Sequence, residues 1–189
     1  DIFENDIIIK TLDSLTLAPN IKLNIDIKKN IPTQAGLGSA STNAAGLIKG
    51  LKILGIVNKK NSQLLSNLGA DVPACLYGND CLIIGKGDKI YSQINFPKYY
   101  FVLVKPNIHL STSGMYAKIK NYFIFDKRHN DRISNLPSIQ KYDTGNDFEN
   151  IAITENKEIK NLLDFLSKTE NCIFARMSGS GSCCYAVFN

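Results

Sequence analysis

The apolar residues follow two rhythms, and these divide the chain into helices and strands. Ile7, Ile8, Thr11, Leu12 and Leu15 fall on one face of a helix from Asp6 to about Leu17. Ile21 to Ile27 alternates apolar and polar residues, which predicts a half-buried strand. Helical spacing returns at Ala44, Leu47, Ile48, Leu51 and Leu54, and Gly55 closes that element. After the polar patch 58–61, Ser62 is an N-cap for a short helix holding Leu64, Leu65 and Leu68. The string Gly69-Ala70-Asp71-Val72-Pro73 ends that helix and starts another. Cys81–Gly85 and Lys89–Tyr91 form a hairpin around 85–88.

In the second half, Tyr99–Val104 reads as a buried strand closed by Pro106, and Thr112 to about Ile119 as a helix. Residues 126–146 are polar and predict a long surface insertion. Helices follow over 147–154 and 158–166. Two strands, 173–177 and 183–188, flank the turn Ser178-Gly179-Ser180-Gly181. Helices mixed with hairpins predict an α+β layered fold rather than a doubly wound parallel sheet. At 189 residues there is material for a proper core in one domain or two small ones.

Composition changes this picture little. Apolar residues make up 44% and charged residues 21%, ordinary for a globular protein, and no apolar run is long enough to span a membrane. The net charge of +5 is spread over short pairs such as Lys28-Lys29 and Lys59-Lys60, a solvated surface rather than a nucleic-acid patch. The five cysteines have no framework spacing, and Cys183-Cys184 reads as strand core in a reducing compartment. There is no nucleophile elbow for a hydrolase. The chain opens on Asp1 directly into helical sequence, which suggests a processed or truncated product.

The candidate chemistry sits where the alternating segment gives way to the helix, in Pro32-Thr33-Gln34-Ala35-Gly36-Leu37-Gly38-Ser39-Ala40-Ser41-Thr42. A helix start leaves backbone N–H groups unpaired and carries partial positive charge. Small side chains let a phosphate approach both. The alternative is a tight turn that merely lacks bulk. It is not a Walker loop, because no G-K-[ST] follows the glycines. Asp71, before Val72-Pro73, has the grammar of an N-cap.

Three motifs in order, P-x-x-A-G-L-G-S-A-S-T-N-A-A at 32–45, G-A-D-V-P at 69–73 and M-S-G-S-G-S at 177–182, resemble the GHMP small-molecule kinases. Asn43-Ala44-Ala45, the full 69–73 string and Gly145-Asn146-Asp147-Phe148-Glu149 favour members acting on cytidine diphosphate methylerythritol in non-mevalonate isoprenoid synthesis. The resemblance implies the two-domain GHMP fold, a ribosomal protein S5 domain 2-like N-terminal part over 1–95 and an α/β C-terminal part over 96–189. It implies ATP and Mg²⁺, with Pro32 and Ala35–Thr42 around the phosphates and the hydroxyls of Ser41 and Thr42 toward phosphate oxygen or Mg²⁺. Mg²⁺ would be held mainly by phosphates and water, so no protein metal ligand is assigned.

The resemblance makes Asp71 the general base and brings Ser178, Gly179, Ser180 and Gly181 over the substrate phosphates or the nucleotide. Taken alone, that stretch is a plain turn. Thr112 aligns with a threonine near the substrate, with a helix N-cap as its alternative. Asp147 and Glu149 are structural. The implied partner is a small molecule, with no nucleic acid or membrane; the chain acts as a monomer or homodimer, in cytoplasm or a plastid-type organelle.

The family's P-x-K-I-N-L and D-G-Y-H motifs, which supply a catalytic lysine and hold cytidine, are absent here; Lys22 belongs to a different strand. The usual G-L-G-G-G-S-S is here Gly36-Leu37-Gly38-Ser39-Ala40-Ser41-Thr42, close to the G-L-G-S-S and G-L-G-S-A of other members. The expectation is a chain trimmed at both ends that binds ATP weakly, with little or no turnover. The alternatives are another GHMP kinase, acting on mevalonate, homoserine or a sugar, or a non-catalytic metabolite-binding module of the same fold.

Overall fold

A computed structural model describes residues 6–15, 17–18, 20–57, 67–85, 87, 89–93, 96–119, 139, 143 and 145–189. The chain divides into two compact units. One comprises Asp1–Lys29 and Gly38–Asn95, the other Asn30–Leu37 and Phe96–Asn189. The glycine-rich loop is therefore shared between them, changing unit at Leu37–Gly38.

The first unit is built on three helices. Helix α1 (Ile7–Ser14) starts at Asp6, whose carboxylate accepts from Ile8 N at 2.9 Å. It packs on α2 (Ser39–Ile53), which packs on α3 (Val72–Tyr77). Leu15, Ala44, Ile48, Leu51, Val57 and Val72 form the core, with Leu68 and Leu76 at its edge. Leu54, expected on the apolar face, is instead the C-cap of α2, and it is 69% exposed. Strands β1 (Cys81–Ile84) and β2 (Lys89–Gln93) form the expected antiparallel hairpin.

The segment 21–27 departs from expectation. Its burial alternates residue by residue, as the pattern predicted, yet it forms no strand. A ladder needs a neighbour to satisfy its backbone groups, and none of the described residues pairs with this segment. The helix expected after Ser62 lies outside the described residues, apart from Leu68. So does most of the insertion expected over 126–146.

The second unit is a three-stranded antiparallel sheet in the order β3 (Tyr100–Val104), β5 (Cys184–Phe188), β4 (Cys172–Met177). Helices α4 (Thr112–Ile119), α5 (Asp147–Glu155) and α6 (Lys157–Ser167) accompany it. Met115, Ala152, Ile159, Leu166, Ala175, Met177, Cys184 and Ala186 form its core. Strand β3 is not the buried strand its composition suggested. Tyr100, Phe101, Val102 and Leu103 are all exposed, since β3 is an edge strand and α6 packs on β4 and β5. No helix among the described residues is long and apolar enough to cross a membrane.

Candidate phosphate site

In the first unit, Gly38 takes the cap position of α2 in the left-handed region, φ 64°, with no side-chain cap. The first intrahelical bond is Thr42 N to Gly38 O, 2.9 Å. Among the described residues, the N–H groups of Gly36 through Ser41 donate to nothing. This is the unpaired amide run that an anion needs. Thr42 itself is withdrawn from the expected cradle. Its amide is in the helix, and its hydroxyl donates to Gly38 O at 3.1 Å and meets Cys75 Sγ at 3.7 Å.

The segment 69–75 runs along that first turn. A Cβ on Gly69 would lie 3.6 Å from Ser41 Oγ, and Cys75 touches Thr42. Asp71 lies on the stretch between these contacts. It occupies the cap position of α3, and its carbonyl accepts from Cys75 N at 3.1 Å. Its backbone is helical (φ −84°, ψ −11°), however, and its side chain makes no cap bond. A working N-cap has extended dihedrals. Here Pro73 and the Val72 N to Gly69 O bond start the helix unaided, leaving an exposed carboxylate with no partner among the described residues. Gly87 supports this backbone from the hairpin; its φ is +90°, and a Cβ there would lie 3.1 Å from Ala70.

The second unit holds the other half of the loop. Ser182 N donates to Gln34 O at 3.2 Å, Cys183 N to Ala35 O at 3.1 Å, and Ser178 Oγ to Gly36 O at 2.8 Å. Gly36 has φ +70°, and a Cβ there would lie 2.1 Å from Ser178 O. Only glycine allows this approach. The first and third motifs thus meet at Gly36 and the 178–182 turn, with buried Ala35 as anchor and Pro32 on the exposed stretch before it.

Within the turn the four residues differ. Ser180 and Gly181 are buried and shape it, whereas Ser178 and Gly179 reach the surface. Thr112 is not the cap of α4. Ser111 does that, accepting Gly114 N on its hydroxyl and Met115 N on its carbonyl. Thr112 Oγ1 is left to pair with Ser180 Oγ at 2.9 Å, so these two expected site residues do meet.

Two residues not assigned to the site brace the turn. Asn146 Nδ2 donates to Met177 O at 2.7 Å and to Gly179 O at 2.8 Å, and Met177 N donates to Glu149 Oε2 at 2.7 Å. The N-x-x-E spacing marks a helix start. That these side chains reach a strand end 28 to 33 residues away was not legible from spacing.

Cys183 and Cys184 are buried and free, as strand core. Burial raises the Cys183 thiol and pushes Cys184 up to about 12, with Cys183 and Glu149 adding to the rise. Both thiols stay protonated at neutral pH. Iodoacetamide at pH 8 should modify the half-buried Cys75, Cys81 and Cys172 and spare these two, as read by peptide mass mapping. The unfolded chain ionises thiols near their ordinary 9.0, so Cys184 makes stability fall as pH rises from about 9 toward about 12, and Cys183 acts in the same direction.

A model of the GHMP kinases N terminal domain matches residues 6–79, and a model of the GHMP kinases C terminal region matches 128–189. A Francisella philomiragia protein named 4-diphosphocytidyl-2-C-methyl-D-erythritol kinase is 37% identical over 97% of this chain and 65% of its own length. A Prochlorococcus marinus protein of the same name is 33% identical over 97% of this chain and 66% of its own. The chain thus spans about two thirds of the length of these curated relatives. A crystal structure of 4-(cytidine 5'-diphospho)-2C-methyl-D-erythritol kinase superposes with a TM-score of 0.75 at 22% identity, covering 97% of this chain and 69% of that one; at that identity it speaks for the α+β fold. With both family models matched in order, and the glycine loop seated on the third motif's turn, the chain belongs to the GHMP kinase family.

Proposed function

We propose that this chain carries the phosphoryl-transfer machinery of an ATP-dependent small-molecule kinase. Its acceptor is a hydroxyl of 4-diphosphocytidyl-2-C-methyl-D-erythritol, in non-mevalonate isoprenoid precursor synthesis. The observation that carries this reading is the run of unpaired amides from Gly36 to Ser41, with an uncommitted carboxylate at Asp71. The substrate rests on the names of the relatives. As those relatives are bacterial, we assign the reaction to the cytoplasm.

In this reading the amides of Gly36–Ser41 bind the phosphates of ATP, and the start of α2 adds favourable potential. Ser39, Ala40 and Ser41 are small enough to leave the approach open, and Ser41 supplies a hydroxyl. The resemblance also assigns Ser178–Gly181 to the substrate phosphates or the nucleotide. In that turn the N–H groups of Gly179 and Ser180 donate to nothing among the described residues, and Thr112 Oγ1 pairs with Ser180 Oγ. Asp71 accepts the proton of the substrate hydroxyl. The oxygen forms its bond to the γ-phosphorus as the bond to ADP breaks, and that electron pair leaves with ADP. The transition state is loose, so positioning and charge stabilisation are what the protein supplies. Mg²⁺, when bound to the nucleotide, neutralises charge on its phosphates.

The test is single-turnover transfer with γ-labelled ATP, Mg²⁺ and excess protein. The cytidyl substrate is offered beside mevalonate, homoserine and galactose. Slow transfer to the cytidyl compound alone is expected. Transfer to another acceptor would reassign the substrate. Nucleotide binding with no transfer to any acceptor would make the chain a binding module.

A further inference from the structure

Asn146 caps α5, and Glu149 stands three residues on, the arrangement of a capping box. In such a box the two side chains satisfy the helix's own backbone. Here only half of it does so. Asn146 Oδ1 accepts from Phe148 N at 3.0 Å, but Glu149 turns to Met177 N instead. Both Asn146 N–H groups also leave the helix, for the carbonyls of Met177 and Gly179. Three bonds from one helix start therefore grip the backbone on either side of Ser178, and Ser178 Oγ holds Gly36 O. The grip is itself anchored. Arg176 binds Asp143 through Nε (2.8 Å) and a terminal nitrogen (2.5 Å), and its other terminal nitrogen lies 3.9 Å from Glu149 Oε1.

We infer that Asn146 and Glu149 are positioning residues that set the geometry of the Ser178–Gly181 turn and, through it, the seat of the glycine loop. The consequence for nucleotide affinity rests on the phosphate-site reading above; the consequence for the turn does not.

The discriminating variant is Asn146→Asp. Aspartate caps a helix as well as asparagine, so α5 keeps its start. It cannot donate, and it places an anionic oxygen against two carbonyls. Amide hydrogen exchange and MgATP titration are read on the whole chain. Exchange at Ser182 and Cys183 should quicken about tenfold while α5 amides hold their rates. The nucleotide dissociation constant should rise by about tenfold as well. Glu149→Gln keeps an acceptor for Met177 N but loses the charge facing Arg176, and should loosen the same amides less than Glu149→Ala does.

Unchanged exchange at Ser182 and Cys183 in Asn146→Asp would overturn the inference. So would loosening of α5 to the same degree, which marks an ordinary cap. If the parent chain binds no nucleotide, the phosphate-site reading falls, while the exchange pattern still decides the role of the two residues.

Discussion

Replacing Asp71 with asparagine should slow phosphoryl transfer by about 10²–10⁴-fold, the usual worth of a positioned general base. The MgATP dissociation constant should stay unchanged. Asparagine matches aspartate in size but takes up no proton at neutral pH. Stability should move by less than about 0.5 kcal/mol, because the native side chain holds nothing. That separates this residue from a structural cap, whose loss of function would follow loss of folding. The measurement is the single-turnover rate at saturating ATP, with urea unfolding run in parallel. A rate within about threefold of the parent would remove Asp71 from the chemistry.

Gly36→Ala should have the opposite signature. The new Cβ would meet Ser178 O at 2.1 Å and Gly181 N and O at 2.9 Å. These are backbone atoms that cannot swing aside, and the residue must also hold φ +70°. Together, overpacking and the left-handed backbone should cost about 2–4 kcal/mol. If the loop instead lifts off, the three bonds from Ser178, Ser182 and Cys183 are lost and MgATP binding drops below detection. Gly38→Ala is the internal comparison. Its φ is +64°, but nothing lies within 4 Å of the added carbon. Only the conformational term remains there, about 1–2 kcal/mol. Equal effects at the two glycines would show that close approach to the turn is not what Gly36 provides.

Elements whose apolar face meets a nearby neighbour were legible from the residues. Helices α1 and α2 follow their periodicity to within a few residues, as do α4, α5, α6 and the two closing strands. Features set by distant partners were not. Ile21–Ile27 has a strand's alternation, but strand formation depends on a ladder the segment itself does not contain. The apolar run of β3 reads as core because composition carries no record of which strand sits at a sheet edge.

The site divides in the same way. The short side chains and glycines of 36–41 predict a helix start with unpaired amides, and among the described residues those N–H groups donate to nothing. Cap grammar places Asp71 at the start of α3, where it stands, but its helical dihedrals and unbonded side chain are set by Pro73 and the Gly69 turn. At Thr112 the capping hydroxyl falls one residue earlier, on Ser111. Glu149 reads as structural, and so it is, but the contact it makes and the one Asn146 makes were not legible, because their partners lie on a distant strand end.

The amide run from Gly36 to Ser41 is the foundation of the whole reading, and its N–H groups can be watched directly. On titration of the ¹⁵N-labelled chain with a non-hydrolysable MgATP analogue, the amide resonances of 36–41 should move first and furthest, saturating with one dissociation constant. Shifts confined to other surfaces, or saturation with those resonances unmoved, would contradict it.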